Sequence, residues 1–170
     1  MKKKEKEPKI SKKLIEYLKK SKYKYEVAKH RTTYTAWDTA QTEKIKPQEV
    51  AKTLVMKADK DWILAVLPSN RNTDKKELLK LMNKNSEKKV RKLDFADEKW
   101  LKKNIKVGKL GAIPPFRELL KRNVYFDKML LKNKNVYVSS GEYDASIRIL
   151  VSQYVKIEKP IEGKFSIKKD

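Results

Sequence analysis

The chain has 170 residues, 39% of them charged and 39% apolar, with only 4 Gly and 6 Pro. That composition fits one domain with a modest core and charged surfaces, and excludes a linker or low-complexity protein. With no Cys, one His and a formal charge of +22, it also excludes disulfides and thiol nucleophiles and leaves a zinc site short of ligands.

Residues 1–10 are expected to form a disordered basic arm. Ser11 is placed to cap a helix over residues 12–22, with Leu14, Ile15 and Leu18 as its buried stripe. Residues 23–29 alternate as a strand that ends at His30, and a polar segment follows over 31–38. Residues 39–46 suggest a short helical turn, with a second helix starting at Pro47, because Pro is tolerated in a first turn. Residues 53–58 and 62–67 are two strands of a hairpin turned by Asp59, Lys60 and Asp61. After a loop at 68–73, Asp74 opens a helix with Leu78, Leu79 and Met82 on one face. A short strand at 89–93, a helix at 96–104 with Asp97 in its first turn, and an irregular loop at 108–116 come next. Strands are expected at 124–127, 136–139 and 146–151, and a loosely ordered tail over 158–170. A single domain over 11–157, with strands and helices interleaved, predicts an α/β or α+β fold built on a mixed sheet.

The charge is unevenly spread. Residues 1–22 carry ten basic and three acidic side chains, and residues 75–106 carry twelve and five, while residues 23–74 are nearly balanced at nine and seven. Two basic regions of this kind attract a polyphosphate partner through counterion release and steering. A Lys-rich proteome would also raise Lys, but Glu would rise with it, and here it does not. No apolar run is long enough to cross a bilayer, and residues 1–8 lack the apolar stretch of a secretory signal. A cytoplasmic protein is expected, with no metal or other cofactor.

Three blocks carry candidate chemistry. In Val50-Ala-Lys-Thr-Leu-Val55, Lys52 is expected at a helix–strand junction, where a rigidly held cation suits a phosphate or a developing oxyanion. A surface lysine near a helix C-terminus has the same pattern. Gly108-Lys-Leu-Gly-Ala-Ile-Pro-Pro-Phe116 holds two of the four glycines and a Pro pair. Such a loop presents main-chain groups to a ligand or is simply a tight connection. Val138-Ser-Ser-Gly141 offers two hydroxyls at what is equally a hairpin turn.

Taken in order, His30 after the first strand, the 50–55 block, Leu67-Pro68 at a strand end, the 108–116 block, Val124-Tyr-Phe-Asp127 and Ser139-Ser-Gly141 resemble the YbaK and prolyl-tRNA-synthetase-associated editing-domain family. The likeness spans about residues 23–152. It implies a mixed β-sheet partly closed into a barrel with helices around it, and hydrolysis of the ester that joins a wrong amino acid to tRNA. It implies that Lys52 contacts the 3′-terminal adenosine or its phosphate, and that Gly108 and its loop lend a backbone group to orient water or a ribose hydroxyl. By the same resemblance His30 lines the amino-acid pocket with the loop residues Gly111, Ala112, Ile113 and Pro114. Ser139 and Gly141 stand at its rim, and Ser146 matches a further polar position.

The implied partners are mischarged tRNA, with a small amino acid on a proline or related tRNA, and an aminoacyl-tRNA synthetase. The chemistry suits the inventory, because an aminoacyl ester is already activated, so positioning and electrostatic stabilisation supply the rest. Two alternatives stay open on the sequence. One is a non-catalytic module of the same fold that binds tRNA or an aminoacyl-adenylate. The other is a basic RNA-associated protein, which calls for aromatic residues displayed on a strand face; Trp62 and Tyr137 are the candidates for that.

Overall fold

The computed structural model describes residues 10–169. The expected basic arm therefore falls, apart from Ile10, outside the described residues.

The centre is a five-stranded sheet. Strands β2 (Ala51–Ala58) and β3 (Asp61–Pro68) pair antiparallel over their whole length, from Ala51 opposite Pro68 to Ala58 opposite Asp61. The turn between them puts Asp59 at φ 51°, a conformation acidic residues tolerate better than most. The Asp59 carboxylate accepts from the Arg91 and Lys92 main-chain N–H groups. On the outer side of β2 lies β5 (Leu93–Phe95). On the outer side of β3 lie β6 (Val124–Asp127) and then β9 (Ile161–Gly163), both in parallel register. β3 is apolar on both faces because both are covered. Leu64 and Val66 join the main core, whereas Ile63, Ala65 and Leu67 face a second core with Leu78 and Met82 of α3 (Lys75–Lys84).

A second sheet is wholly antiparallel, in the order β1 (Tyr25–Lys29), β8 (Ala145–Leu150), β7 (Asn135–Ser139). The main core lies between the two sheets and is closed by Leu14 and Leu18 of α1 (Lys12–Lys20) and by Tyr154 of α6 (Val151–Glu158). A single parallel bridge, Val50 to Tyr137, joins the sheets at one side. The fold is thus mixed α/β, as expected, but the sheets stay open and do not close into a barrel. Among the described residues no helix is long and apolar enough to cross a membrane.

Several local expectations are corrected. Ser11 flanks α1 but makes no side-chain cap bond. The helix after the polar segment is α2 (Ala36–Glu43), begun by Thr35, whose hydroxyl accepts from the Asp38 N–H. Pro47 opens only one 3-10 turn, Pro47–Glu49. Pairing with β3 then starts at Ala51, so Lys52 lies inside a strand and not at a helix end. The strand expected at 89–93 starts only at Leu93 and runs to Phe95, and residues 151–158 turn into α6.

The tail is ordered. After β9 the chain buries Phe165, whose N–H donates to Asp127 Oδ2 at 3.0 Å. It then pairs β10 (Ser166–Lys168) with β4 (Arg71–Thr73). Arg71 donates to both the hydroxyl and the carbonyl of Ser166.

Candidate active site

The site is assembled where the segment after β1 crosses the gap between the two sheets. That segment has no ladder of its own and borrows one. The His30 N–H donates to the Asp144 carbonyl at 2.9 Å, and the Thr33 N–H donates to that of Tyr143 at 2.8 Å. Thr33 and Thr39 share a buried hydroxyl–hydroxyl bond of 2.6 Å, which ties the segment to α2.

Together with the start of β2 and the end of β7, it walls a small, partly open cleft of about 20 Å³. Such a space holds little more than one water. His30, Gly111, Ala112, Ser139 and Ser146 all line it, beside Thr33, Thr39, Val50, Ala51 and Glu142. In the cleft, His30 Nε2 stands 3.0 Å from Ser146 Oγ.

The glycines explain how the 108–116 loop reaches this place. At Gly108 (φ 91°) a Cβ would lie 2.9 Å from Pro114 Cδ and 3.2 Å from the Gly141 Cα, so the two glycines pack directly on each other. Gly111 (φ 80°) sits against the segment after His30, where a Cβ would come 2.6 Å from the Tyr34 carbonyl oxygen. The loop is also fastened to the 140–144 turn. The Lys109 N–H donates to the Gly141 carbonyl, Lys109 Nζ meets Glu142 at 2.6 Å, and the Tyr143 hydroxyl donates to the Leu110 carbonyl. Ser140 holds that turn from inside, donating to the Ala145 carbonyl at 2.6 Å.

Five of the expected residues do not line the cleft: Gly108 and Gly141 pack on each other beside it, and Ile113, Pro114 and Lys52 lie elsewhere. Ile113 belongs to the main core, and Pro114 is buried beneath the two glycines. Lys52 neighbours Ala51, but its side chain leaves the opposite face of β2, in register with Leu67. There it is half-buried. Burial, and then the charge of Lys169, bring its pKa from 10.5 down to about 8. Lys169 reaches this neighbourhood because β10 delivers it, and its ammonium lies 5.2 Å from the centre of the Trp37 ring in α2. Among the described residues neither lysine forms an ion pair.

Sequence reasoning missed Thr33, Thr39, Trp37 and Lys169. The only signal for the first two was the density of hydroxyls in a segment with no apolar pattern. Nothing local pointed to Lys169.

The family model of the aminoacyl-tRNA editing domain matches residues 30–157, so the chain belongs to that family. No curated protein sequence matches it. Among solved structures, the hypothetical protein APE2540 superposes with a TM-score of 0.80 at 18% identity, covering 92% of this chain and all of that one. A protein described as a candidate trans-editing enzyme for prolyl tRNA synthetase gives 0.76 at 17% identity, covering 95% of this chain and 99% of the other. At these identities the structural likeness establishes the fold alone.

Proposed function

We propose that the protein is a freestanding deacylase that hydrolyses the ester of mischarged tRNA, with a small amino acid on a proline or related tRNA as its substrate. The observation that carries this reading is the editing-domain match over the same residues, 30–157, that build the cleft. Ala, Ser or Cys is the amino acid expected from the family resemblance. A site of this kind acts as a second sieve. The candidate function of the solved neighbour, editing for prolyl tRNA synthetase, points the same way.

In this reading the aminoacyl group enters beside His30, Ser139 and Ser146. The Gly108–Gly141 contact holds main-chain groups at the rim, and Lys52 takes the terminal phosphate from the outer face of β2. Lys169 adds a second cation there. Basic side chains over 1–22 and 75–106 carry the tRNA body, and a synthetase is a natural partner for an enzyme acting in trans.

The test is release of amino acid from a panel of mischarged tRNAs. Rapid release from one or two members supports the proposal. No release from any member, with tRNA binding intact, replaces it with a non-catalytic tRNA-binding module.

Two variants probe the geometry. Gly111→Ala must displace the Tyr34 main chain and with it the segment that carries His30 and Thr33. Its kcat/KM is expected to fall by roughly 10- to 100-fold, with a stability loss of about 1–3 kcal/mol from the strained φ. Full activity in this variant would place the reacting atoms elsewhere. Lys169→Ala is expected to raise KM with kcat nearly unchanged, and to reduce the salt slope of tRNA binding by about 1. An unchanged slope would remove Lys169 from the phosphate contacts.

A further inference from the structure

Among the described residues three aromatic side chains stand largely in solvent. Two of them, Tyr34 and Trp37, lie three positions apart where the segment after β1 runs into α2. The third, Phe95, is in β5 at the edge of the five-stranded sheet. A single exposed ring needs no explanation. Two rings so close together, 63% and 41% exposed, call for one. Tyr34 itself lines the cleft, and Trp37 follows it in the first turn of α2.

Both rings sit on fixed backbone. The Tyr34 main chain is pressed against Gly111. Its ring meets the Tyr143 ring edge to face, with centres 4.8 Å apart and planes inclined by 64°. The Tyr143 hydroxyl in turn donates to the Leu110 carbonyl. Trp37 is held by the turn that Thr35 caps. Rings positioned in this way lose little freedom when a flat group stacks on them.

Cations flank both. Lys169 Nζ lies 5.2 Å from the centre of the Trp37 ring. After burial, the charge of Lys169 is the second cause of the lowered Lys52 pKa, so the two ammonium groups share this side of the site. On the other side, Lys109 Nζ lies 5.4 Å from the centre of the Tyr143 ring. Aromatic faces among ammonium groups suit single-stranded nucleic acid, whose bases stack on the rings while its phosphates meet the cations. The strand aromatics offered by the sequence form no such platform. Trp62 is edge-on to Trp100, and the Arg122 guanidinium covers its ring at 4.5 Å. Tyr137 is partly buried against the cleft.

We infer that Tyr34 and Trp37 form a stacking platform for the unpaired nucleotides at the 3′ end of the tRNA, Tyr34 taking the terminal base and Trp37 the base before it. The inference rests on the deacylase reading for the direction of the strand. With the aminoacyl ester in the cleft, the nucleotide that carries it is nearest Tyr34, and the strand runs out past Trp37 toward Lys169. Bases inside a duplex are already stacked on one another, so the platform selects a single-stranded end. It also holds the ester in register with the cleft, which is a positioning role.

The experiment measures binding of the full chain to three uncharged, fluorescently labelled RNAs: a short single strand ending in CCA, the same strand with its last nucleotide abasic, and a blunt duplex. Tyr34→Ala and Trp37→Ala are each expected to weaken binding of the single strand by about 10-fold and to leave the duplex within about 3-fold. Neither should change the salt slope, because a ring releases no counterion. Trp37→Phe should recover most of the affinity. The wild type should lose about 10-fold on the abasic strand, and Tyr34→Ala should lose nothing further there. Thermal midpoints should stay close to that of the wild type, because both side chains are exposed. Unchanged single-strand affinity in both alanine variants overturns the platform, and so does an equal loss on single strand and duplex. The two readings fail separately. Release of amino acid by the wild type, with binding unchanged in both variants, keeps the deacylase and removes the platform. Ring-dependent binding without release from any charged tRNA keeps the platform and removes the deacylase.

Discussion

Replacing Lys52 by Ala is expected to lower kcat/KM for amino-acid release by about two to three orders of magnitude, the usual cost of removing one preorganised charge partner, while the fold stays intact. The physical case rests on what Lys52 costs the protein. Its ammonium is half-buried on the face of β2 that carries Leu54 and Met56, and a second cation, Lys169, lies near it. Both effects disfavour the charged form. The unfolded chain therefore binds the proton more tightly than the folded one, and stability rises with pH between about 8 and 10.5. Lys52→Met should accordingly be at least as stable as the wild type and lose that slope, as expected of a residue kept for its charge. Activity runs the other way. If the protonated amine grips a phosphate, kcat/KM of the free enzyme declines as pH passes about 8. Lys52→Arg, which stays charged, should move that decline to higher pH even if its absolute rate is lower. Urea unfolding and a pH–rate profile on the three variants decide the matter. Unimpaired release by Lys52→Ala would remove the lysine from the site.

What the sequence disclosed follows from how local each feature is. The 53–58 and 62–67 hairpin and the 124–127 strand were legible because short apolar runs are bounded by turn residues. The α3 face was legible because Leu78 and Met82 recur at helical spacing. α6 was not, because it follows β8 without a polar break and begins at Leu150 with no side-chain cap. The tail was misjudged because its order depends on residues far away. Phe165 leans on Asp127, and Ser166 on Arg71, 95 positions earlier. Lys52 was singled out, but the 3-10 turn at Pro47 shifted the start of β2 and so the face from which its side chain leaves. The site shows the same division. Gly108, Gly111 and Gly141 stood out by scarcity, and packing explains each of them. The His30–Ser146 bond joins residues 116 apart, and only the pairing of β1 with β8 reveals it.

Glu158→Ala is expected to destabilise the protein by about 3–5 kcal/mol, which in a chain of this size lowers the thermal midpoint by roughly 10 °C. The carboxylate is 1% exposed at the end of α6. It accepts from the Tyr17 hydroxyl at 2.8 Å, from the Tyr23 hydroxyl, and from the Arg117 N–H at 2.7 Å. Truncation strands three buried or half-buried donors at once. Burial raises the Glu158 carboxyl pKa above its ordinary value, and the bonds from Tyr23, Tyr17 and Arg117 only partly oppose this. The sign follows from linkage. Stability contributed by a carboxyl with a raised folded pKa is complete below its unfolded value near 4.5 and is lost as pH rises through the folded one. The stability difference between wild type and Glu158→Gln should therefore shrink as pH rises from 4.5 toward 7. Urea titrations at several pH values measure it, and a difference that grows with pH would show the carboxylate to be stabilised by its donors instead. The consequence reaches the cleft. Arg117 directly follows the 108–116 loop, and Tyr154, one turn earlier on α6, donates to the Pro115 carbonyl at 2.5 Å. α6 thus clamps the far end of the loop whose near end presses Gly111 against Tyr34. If so, Glu158→Ala should lose activity at temperatures where the fold still holds, because the loop is released before the core melts.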